Sequence, residues 1–238
     1  ILDVAPDTSR IIIEEEGELV TSALAFTYAF DRRNSVIDPS AGFILTLNQE
    51  FAGLGGDVTH SKTRGTARAF TSFFEEDLIL SATLEGGAIF SDEGTRITDR
   101  FNAGGDSFRG FARNGIGPRD FCEIGDCLPP QEDLEVDESL GGNFFGILRL
   151  DASFPLGLPQ EYGIFGGVFA DAGSLWGLDN INGSMGEVDD SFQMRASAGL
   201  SLFVDTPFAP LRFNYAFPIK TVEGDQTEEF RFAIESRF

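Results

Sequence analysis

Apolar residues alternate with small or polar ones along most of this chain, and the alternation limits the folds that the chain can adopt. In residues 19–30, for example, Leu24 and Phe26 alternate with Ala25 and Thr27. Because successive side chains of a β-strand point to opposite faces, this period predicts strands with one apolar face. About nine segments have the pattern, more clearly in some than in others. They are residues 19–30, 42–51, 58–73, 78–90, 144–154, 162–171, 193–204, 211–219 and 230–238.

The chain has no segment with the roughly 18 uninterrupted apolar residues that a membrane-spanning helix requires. A closed β-barrel is the other structure that can cross a bilayer, because its strands satisfy one another's backbone groups. The second face of several strands carries charges, such as Arg149 and Asp151, which suit a wide, water-filled interior better than a packed core. The pattern therefore predicts an all-β fold, an antiparallel transmembrane β-barrel.

The connections between these strands also alternate in length. On one side they are compact, whereas the other side has two long ones, residues 91–142 and 172–192. Transmembrane barrels have short periplasmic turns and longer outside loops, and bacterial single-chain barrels have an even number of strands. Nine strands would therefore be only a portion of a barrel. The apolar residues expected to face lipid are Val20, Leu24, Phe26, Leu45, Leu47, Leu80, Leu84, Leu148, Leu150, Leu200, Leu202, Phe213, Tyr215, Phe232 and Ile234.

Composition excludes several classes of function. The formal net charge of -22 makes nucleic acid a poor partner, because phosphate binding requires concentrated Lys and Arg. The sequence has no phosphate-binding loop, and the one histidine, His60, has no nucleophile motif around it. We therefore predict no enzymatic activity, no cofactor and no metal site.

The two cysteines lie close together in the long segment 91–142. Cys122 and Cys127 are separated by four residues in a stretch rich in Gly, Pro and acidic residues. This spacing is compatible with a local disulfide in an oxidising compartment, and also with a pair of free thiols. In either case, we expect both residues to lie in a surface loop.

The same long segment carries the most informative motif of the chain. Residues 101–111 read Phe-Asn-Ala-Gly-Gly-Asp-Ser-Phe-Arg-Gly-Phe. A Gly-Gly pair, a short spacer, and then an apolar residue, Arg, Gly and an aromatic residue resemble the loop-six signature of the BamA-like family of outer-membrane proteins. The motif residues here are Gly104, Gly105, Phe108, Arg109, Gly110 and Phe111.

Further motifs of that family follow in the same order. Residues 140–143 resemble its re-entry into the next strand, residues 169–173 with Trp176 resemble a strand end, and residues 207–213 resemble its penultimate turn and strand. The terminal Phe238 fits the aromatic ending of outer-membrane barrels. The resemblance implies that residues 1–238 are the C-terminal part of a barrel of about sixteen strands, with loop six at about 91–142.

The resemblance also implies a role for the loop arginine. In the family, this loop folds back into the barrel and its arginine meets acidic residues on the inner wall, so Arg109 is expected to contact Asp151 and Asp171. A guanidinium group can hold two carboxylates at once. From the residues alone, a solvated loop residue with ordinary glycine turns on either side is the more common interpretation of Arg109.

The function implied by the resemblance is the folding and insertion of other β-barrels into the outer membrane of a Gram-negative bacterium. The expected partners are the lipid bilayer, unfolded outer-membrane proteins and accessory assembly lipoproteins. The seam strand, with Phe230, Phe232, Ile234 and Phe238 on one face, would receive an incoming strand, although it lacks the glycine common in the family. TamA-like translocation barrels and two-partner secretion pores share the arginine motif and are the alternative; a diffusion porin has no reason to carry it.

Overall fold

The computed structural model describes residues 4–159, 162–206 and 209–234. Its main element is an antiparallel sheet of nine strands, and two further pairs of short strands belong to the loops. In chain order the elements are α1 (Arg10–Glu14), β1 (Ala23–Asp31), β2 (Gly42–Ala52), β3 (His60–Phe73), β4 (Leu78–Phe90), β5 (Gly110–Phe111), β6 (Arg119–Cys122), β7 (Val136–Ser139), β8 (Phe144–Pro155), β9 (Ile164–Trp176), β10 (Arg195–Asp205), β11 (Pro210–Lys220), β12 (Thr227–Glu228) and β13 (Phe230–Ile234).

The sheet follows the chain. Its order is β1-β2-β3-β4-β8-β9-β10-β11-β13, and β5 pairs with β12 while β6 pairs with β7. Every neighbouring pair is antiparallel. The predicted antiparallel all-β fold is thereby confirmed. No helix in these ranges has the length and apolar character needed to cross a membrane.

The register brings the apolar positions of neighbouring strands together on the outer face. Leu84 of β4 pairs with Ala67 on one side and with Leu148 of β8 on the other. Of the fifteen apolar residues predicted to face lipid, thirteen are exposed, and the other two, Leu80 and Phe213, are half-buried. None lies in a packed interior, as expected for strands that present this face to a bilayer.

The inner face is polar and is partly covered by the segment between β4 and β8. Phe101, Phe108 and Ile116 of that segment pack against Ile147 of β8 and Leu175 of β9. The core of the molecule therefore lies between the long loop and the inner wall rather than between two sheets. Apolar loop residues are removed from water there, which holds the loop against the wall.

Several boundaries differ from those the alternation predicts. β9 continues through Ala172 and Ser174 to Trp176, so Asp171 lies within the strand and does not end it. Small residues in this part of β9 weaken the apolar alternation without interrupting the ladder of hydrogen bonds. The loop, predicted to lack regular structure, contains the short strands β5, β6 and β7. Phe238 and the first two residues of the motif at 207–213 lie outside the described residues.

A short N-terminal segment packs over the loop at the outer end of the sheet. Ser9 caps α1 by accepting a hydrogen bond from the amide of Ile11. Ile11 and Ile12 are buried with Leu140 and Val188. Nothing in the sequence pattern predicts this packing, because one helical turn is too short for a clear period.

Candidate functional site

The loop motif is anchored by its two aromatic residues. Phe108 and Phe111 have no exposed surface, and their rings stack with centroids 5.1 Å apart. At the start of the motif, the hydroxyl of Ser107 accepts from the amide of Gly104 at 3.1 Å and donates to its carbonyl at 2.9 Å. These contacts fix the backbone on both sides of Arg109.

Gly110 allows the loop to touch the wall. Its φ of +89° is one that residues with a side chain rarely adopt, and a Cβ there would lie 2.9 Å from Cβ of Ser197 on β10. The hydroxyl of Ser197 donates to the carbonyl oxygen of Arg109 at 2.5 Å. A larger residue at position 110 would push the arginine away from this strand.

The side chain of Arg109 is held between Asp151 and Asp171. Its Nη1 donates to Oδ1 of Asp151 at 2.5 Å, while its Nε and Nη2 donate to Oδ2 and Oδ1 of Asp171 at 2.8 and 2.5 Å. The amide of Arg109 also donates to Asp171 Oδ2, at 3.0 Å. The guanidinium carbon lies 3.9 Å from the ring centroid of Phe169, which adds a cation–π contact.

This arrangement is largely closed to water. Arg109 is 4% exposed and Asp171 is 2% exposed. Burial acts to lower the pKa of Arg109, but the hydrogen bonds and charge of Asp171, followed by those of Asp151, outweigh it and raise this pKa above its ordinary value. The guanidinium is therefore a permanent cation, which suits it to holding the loop in place and not to transferring protons.

A second arginine completes the group and was not predicted. Nη2 of Arg212 on β11 donates to Asp151 Oδ1 at 2.9 Å, and its Nε donates to Asn214 at 3.0 Å. Two arginines thus face two aspartates, so the buried formal charges balance. The group joins the loop to β8, β9, β10 and β11. The sequence signal was the position of Arg212 on the face opposite Phe213, but the strand register was needed to bring it to Asp151.

Comparison with known proteins places the chain in a family. The model of the Omp85 superfamily domain matches residues 5–238. The chain belongs to the Omp85 superfamily. It is 30% identical over 240 residues to the outer membrane protein assembly factor BamA of Neorickettsia risticii, covering all of this chain and 30% of that protein. It is also 30% identical over 235 residues to the sorting and assembly machinery component 50 homolog of Xenopus tropicalis, covering 94% of this chain and 47% of that protein.

A solved structure has the same fold. The crystal structure of BamA from Haemophilus ducreyi lacking POTRA domains 1-3 superposes with a TM-score of 0.73 at 24% sequence identity, covering 88% of this chain and 41% of that chain. The present chain thus spans less than half the length of each of these relatives. The nine-stranded sheet is accordingly that of a barrel portion.

The two cysteines of this Omp85 chain are joined. Cys122 and Cys127 form a disulfide with their Cα atoms 5.4 Å apart, and both sulfur-bearing residues pack with Val136 in a small cluster of their own. They lie in the loop, as predicted, but are themselves buried. Exposed neighbours such as Glu123 and Ile124 cover the outside of this turn.

The predicted seam residues lie on the outer face of β13. Phe230, Phe232 and Ile234 are all exposed, and the ring of Phe232 lies 5.2 Å from that of Phe213 on β11. Within the described residues β13 pairs with β11 alone, so its other edge faces outward from the sheet.

A second polar group, missed by sequence reasoning, lies at the outer end of the loop. Arg100 is buried and donates to the carbonyl oxygens of Thr95 and Leu140 at 2.6 and 3.3 Å and to the carboxylate of Glu15 at 2.7 Å. Asp179 accepts from Thr95 beside it. These contacts tie the N-terminal segment and the β9–β10 connection to the loop.

A buried carboxylate holds the same layer together. Asp120 accepts hydrogen bonds from the hydroxyl of Ser9 at 2.6 Å and from the amide and hydroxyl of Ser184 at 2.9 Å. The amide group of Gln131 donates to the carbonyl oxygens of Pro6 and Thr8. The group joins three segments, the N-terminal one, the long loop and the β9–β10 connection, so no local motif could have indicated it.

Proposed function

We propose that the protein carrying this chain folds and inserts β-barrel proteins into the outer membrane of a Gram-negative bacterium. In this proposal, residues 1–238 are the C-terminal part of its barrel and the loop at about 91–142 is loop six. Support comes from the 30% identity over the whole chain to a protein named as an outer membrane protein assembly factor. The relatives from Xenopus are named as components of a sorting and assembly machinery, which extends the same role to a second branch of the superfamily.

The observation that carries the proposal is the place of β13 at one end of the nine-stranded sheet, with Phe230 and Phe232 exposed beside its edge. Within the described residues this strand is bonded through one edge, to β11, over positions 230 to 234. Backbone N–H and C=O groups on the other edge are a template for a further strand. An unfolded barrel protein could add its own strand there, and successive additions would build its sheet against the bilayer.

No covalent step is needed in this mechanism. Strand addition exchanges backbone hydrogen bonds, and lipid-facing side chains such as Phe230 and Phe232 provide an apolar surface beside the edge. We therefore propose a non-enzymatic activity without cofactor or metal. The proposed partners are the bilayer, unfolded outer-membrane proteins and accessory assembly lipoproteins.

In this scheme Arg109 stiffens the wall next to the edge. Its contacts reach β8 and β9 directly and β11 through Asp151. β11 is the strand that pairs with β13. Holding the loop against these strands keeps the edge in one conformation. The conformational entropy of the edge is then not lost again at each round of insertion.

The test uses the full-length protein in liposomes. A urea-unfolded outer-membrane barrel is added, and its folding is followed by the compact, heat-modifiable band on electrophoresis. We expect the wild-type protein to accelerate folding over empty liposomes and Arg109→Ala to lose most of the acceleration. Arg64→Gln, which alters a wall residue of β3 far from the edge, is the matched control and should keep it.

Two results would contradict the proposal. One is a substrate that folds no faster with the wild-type protein than with empty liposomes. The other is transport of a soluble passenger protein into the liposomes without folding of barrels, which would indicate a translocation or secretion pore.

A further inference from the structure

The turn at the start of the loop motif lies between two arginines from opposite ends of the C-terminal half of the sheet. This loop tip consists of residues 104–107. Nη1 of Arg149, on β8, donates to the carbonyl oxygen of Asp106 at 3.2 Å. On the other side, Arg231 of β13 places its Nη1 3.8 Å from Oδ1 of Asp106. The loop tip therefore bridges an inner strand and the last described strand.

Gly105 is the closest point of this bridge to β13. A Cβ at this position would lie 3.2 to 3.3 Å from three atoms of the Arg231 guanidinium group. The arginine thus packs flat against the glycine backbone, and a side chain there would have to displace it. A methyl group there would require the guanidinium group to shift by a few tenths of an ångström, and the φ of +63° is one that residues with a side chain rarely adopt.

Arg231 is itself fixed by a carboxylate from the loop side. Its Nη2 donates to Oε2 of Glu228 at 2.5 Å, and its side chain is 22% exposed. Glu228 lies in β12 and pairs with Gly110 of β5, within the arginine motif. The position of Arg231 is therefore set by the loop tip directly and by β5 only through β12, which pairs with it.

The chain that leads into β13 is bonded to the loop as well. The backbone carbonyl oxygen of Gln226 accepts a hydrogen bond from the backbone N–H of Ala112 at 2.8 Å. The backbone N–H of Gln226 donates to the carbonyl oxygen of Gly115 at 2.9 Å. The preceding residue, Asp225, forms a buried ion pair with Arg195 at 2.9 Å. Within the described residues, β13 spans Phe230–Ile234 and pairs with β11, and the contacts with the loop add to that pairing.

We propose that Arg231 is a positioning residue that ties β13 to the loop tip, so that the loop controls how readily the edge of this strand opens. The use of this opening in substrate insertion rests on the proposed function, whereas the effect of Arg231 on β13 can be measured without it. When the tip is in place, β13 is held at its outer end; when the tip withdraws, Arg231 loses one side of its support and the strand frays from that end.

The first experiment measures hydrogen exchange of residues 227–234 in the full-length protein in lipid nanodiscs. We expect Arg231→Gln to speed exchange in β13 by about two- to fivefold, the change in opening that loss of a part-exposed ion pair gives. Arg231→Lys keeps the charge and should restore part of the protection. Arg64→Gln, which removes an arginine from β3, should leave β13 unchanged. Unchanged exchange in Arg231→Gln would overturn the proposal.

A second experiment tests the contact with the tip directly. Gly105→Ala should also speed exchange in β13, because its methyl group displaces the guanidinium. In an Arg231→Ala background this added effect should shrink, since the side chain it displaces is gone. Gly125→Ala is the matched control, because Gly125 also has a positive φ, of +97°, but has no atom within 4 Å of the added methyl group. Equal effects of Gly105→Ala in both backgrounds would contradict the coupling.

The outcomes separate this inference from the proposed function. If the wild-type protein folds no substrate but Arg231→Gln still loosens β13, the function fails and the positioning role stands. If substrates fold and exchange in β13 is indifferent to Arg231, the positioning role fails alone. Should Arg231→Gln not fold, Asp106→Asn and Glu228→Gln remove its two partners separately and give the same readout.

Discussion

The inner face of the sheet has two halves that carry similar residues in different surroundings. On β8 to β11 the loop lies directly on the wall, and Arg109 is 4% exposed between its two aspartates. On β1 to β4 the loop covers less of the wall, and a cavity of about 410 Å3 is lined by Gln49, Lys62 and Arg64 together with Phe101 of the loop. The side chain of Arg64 is 50% exposed although it pairs with Glu85.

Pairing alone therefore does not make an arginine structurally important. A charge pair that faces water exchanges one set of hydrogen bonds for another and contributes little. A pair that the loop has covered cannot be rehydrated when one partner is lost, so its removal leaves a buried charge without compensation. The same residue types therefore fasten the loop in one half and merely line a cavity in the other.

The largest effect is expected from Arg109→Ala. It leaves Asp151 with Arg212 alone and Asp171 without a guanidinium, and it releases the loop from β8 and β9. We expect a loss of about 2–5 kcal/mol in the free energy of unfolding, as for other broken buried pairs. Thermal unfolding of the full-length protein in detergent would measure it. Stability equal to the wild type would show that water reaches this half too and would break the comparison.

A smaller loss is expected from Arg212→Ala. Asp151 would keep its hydrogen bonds to Arg109, so one carboxylate remains compensated, while Asn214 loses a donor. The expected cost is about 1–3 kcal/mol, that of leaving buried polar groups partly unsatisfied. Combining it with Arg109→Ala in the same unfolding measurement should give a non-additive result, because both arginines share Asp151. Simple additivity would mean that the two act independently.

The outer end of the loop should respond to pH. Burial acts to raise the pKa of Asp179, but hydrogen bonds from Asn143 and Thr95 and the charge of Arg100 outweigh it and lower this pKa. A carboxyl group with a lowered pKa in the folded state stabilises it above the unfolded value of about 3.9, and this contribution is lost as the pH falls through the folded value.

Hydrogen exchange at Thr95 and Asn143 should therefore rise below about pH 4 in the wild type, the range in which Asp179 becomes protonated. Asp179→Asn has no charge to lose, so its exchange should be close to independent of pH over the same range after correction for intrinsic rates. A variant that keeps the full pH dependence would assign it to another group.

The smallest effect is expected from Arg64→Ala, on the half that the loop covers less. Its side chain is half exposed and the buried Glu85 keeps its pair with Arg149, so removing Arg64 should cost less than about 1 kcal/mol. The measurement is the same thermal unfolding as for Arg109→Ala. A loss as large as that of Arg109→Ala would mean that the two halves are equally closed to water.

Much of the fold could be predicted because the signal is local. Alternation identified the strands and the outward side of residues such as Leu84 and Leu148, since a side chain's face depends only on its place in its own strand. It failed where large apolar residues are sparse, as in the second half of β9, and where elements are short, as in α1 and β5. The spacing of Cys122 and Cys127 allowed a disulfide without deciding it.

The candidate site, too, could be predicted from the sequence only in part. The loop motif made Arg109 conspicuous, and resemblance to a family suggested Asp151 and Asp171 as its partners. No sequence motif indicates Arg212 or Arg231. Their roles depend on which strands lie beside them and on where the loop packs against the wall.

Local patterns in the sequence were enough to establish the all-β character, the apolar outer face and an arginine in a glycine-rich loop. How closely the loop covers each half of the wall, and which charges it buries, follows from the folded structure alone. The cause is distance along the chain, because Arg212 meets Asp151 across 61 residues. A contact of that range is set by the register of the strands between and the packing of the loop, neither of which a local pattern contains.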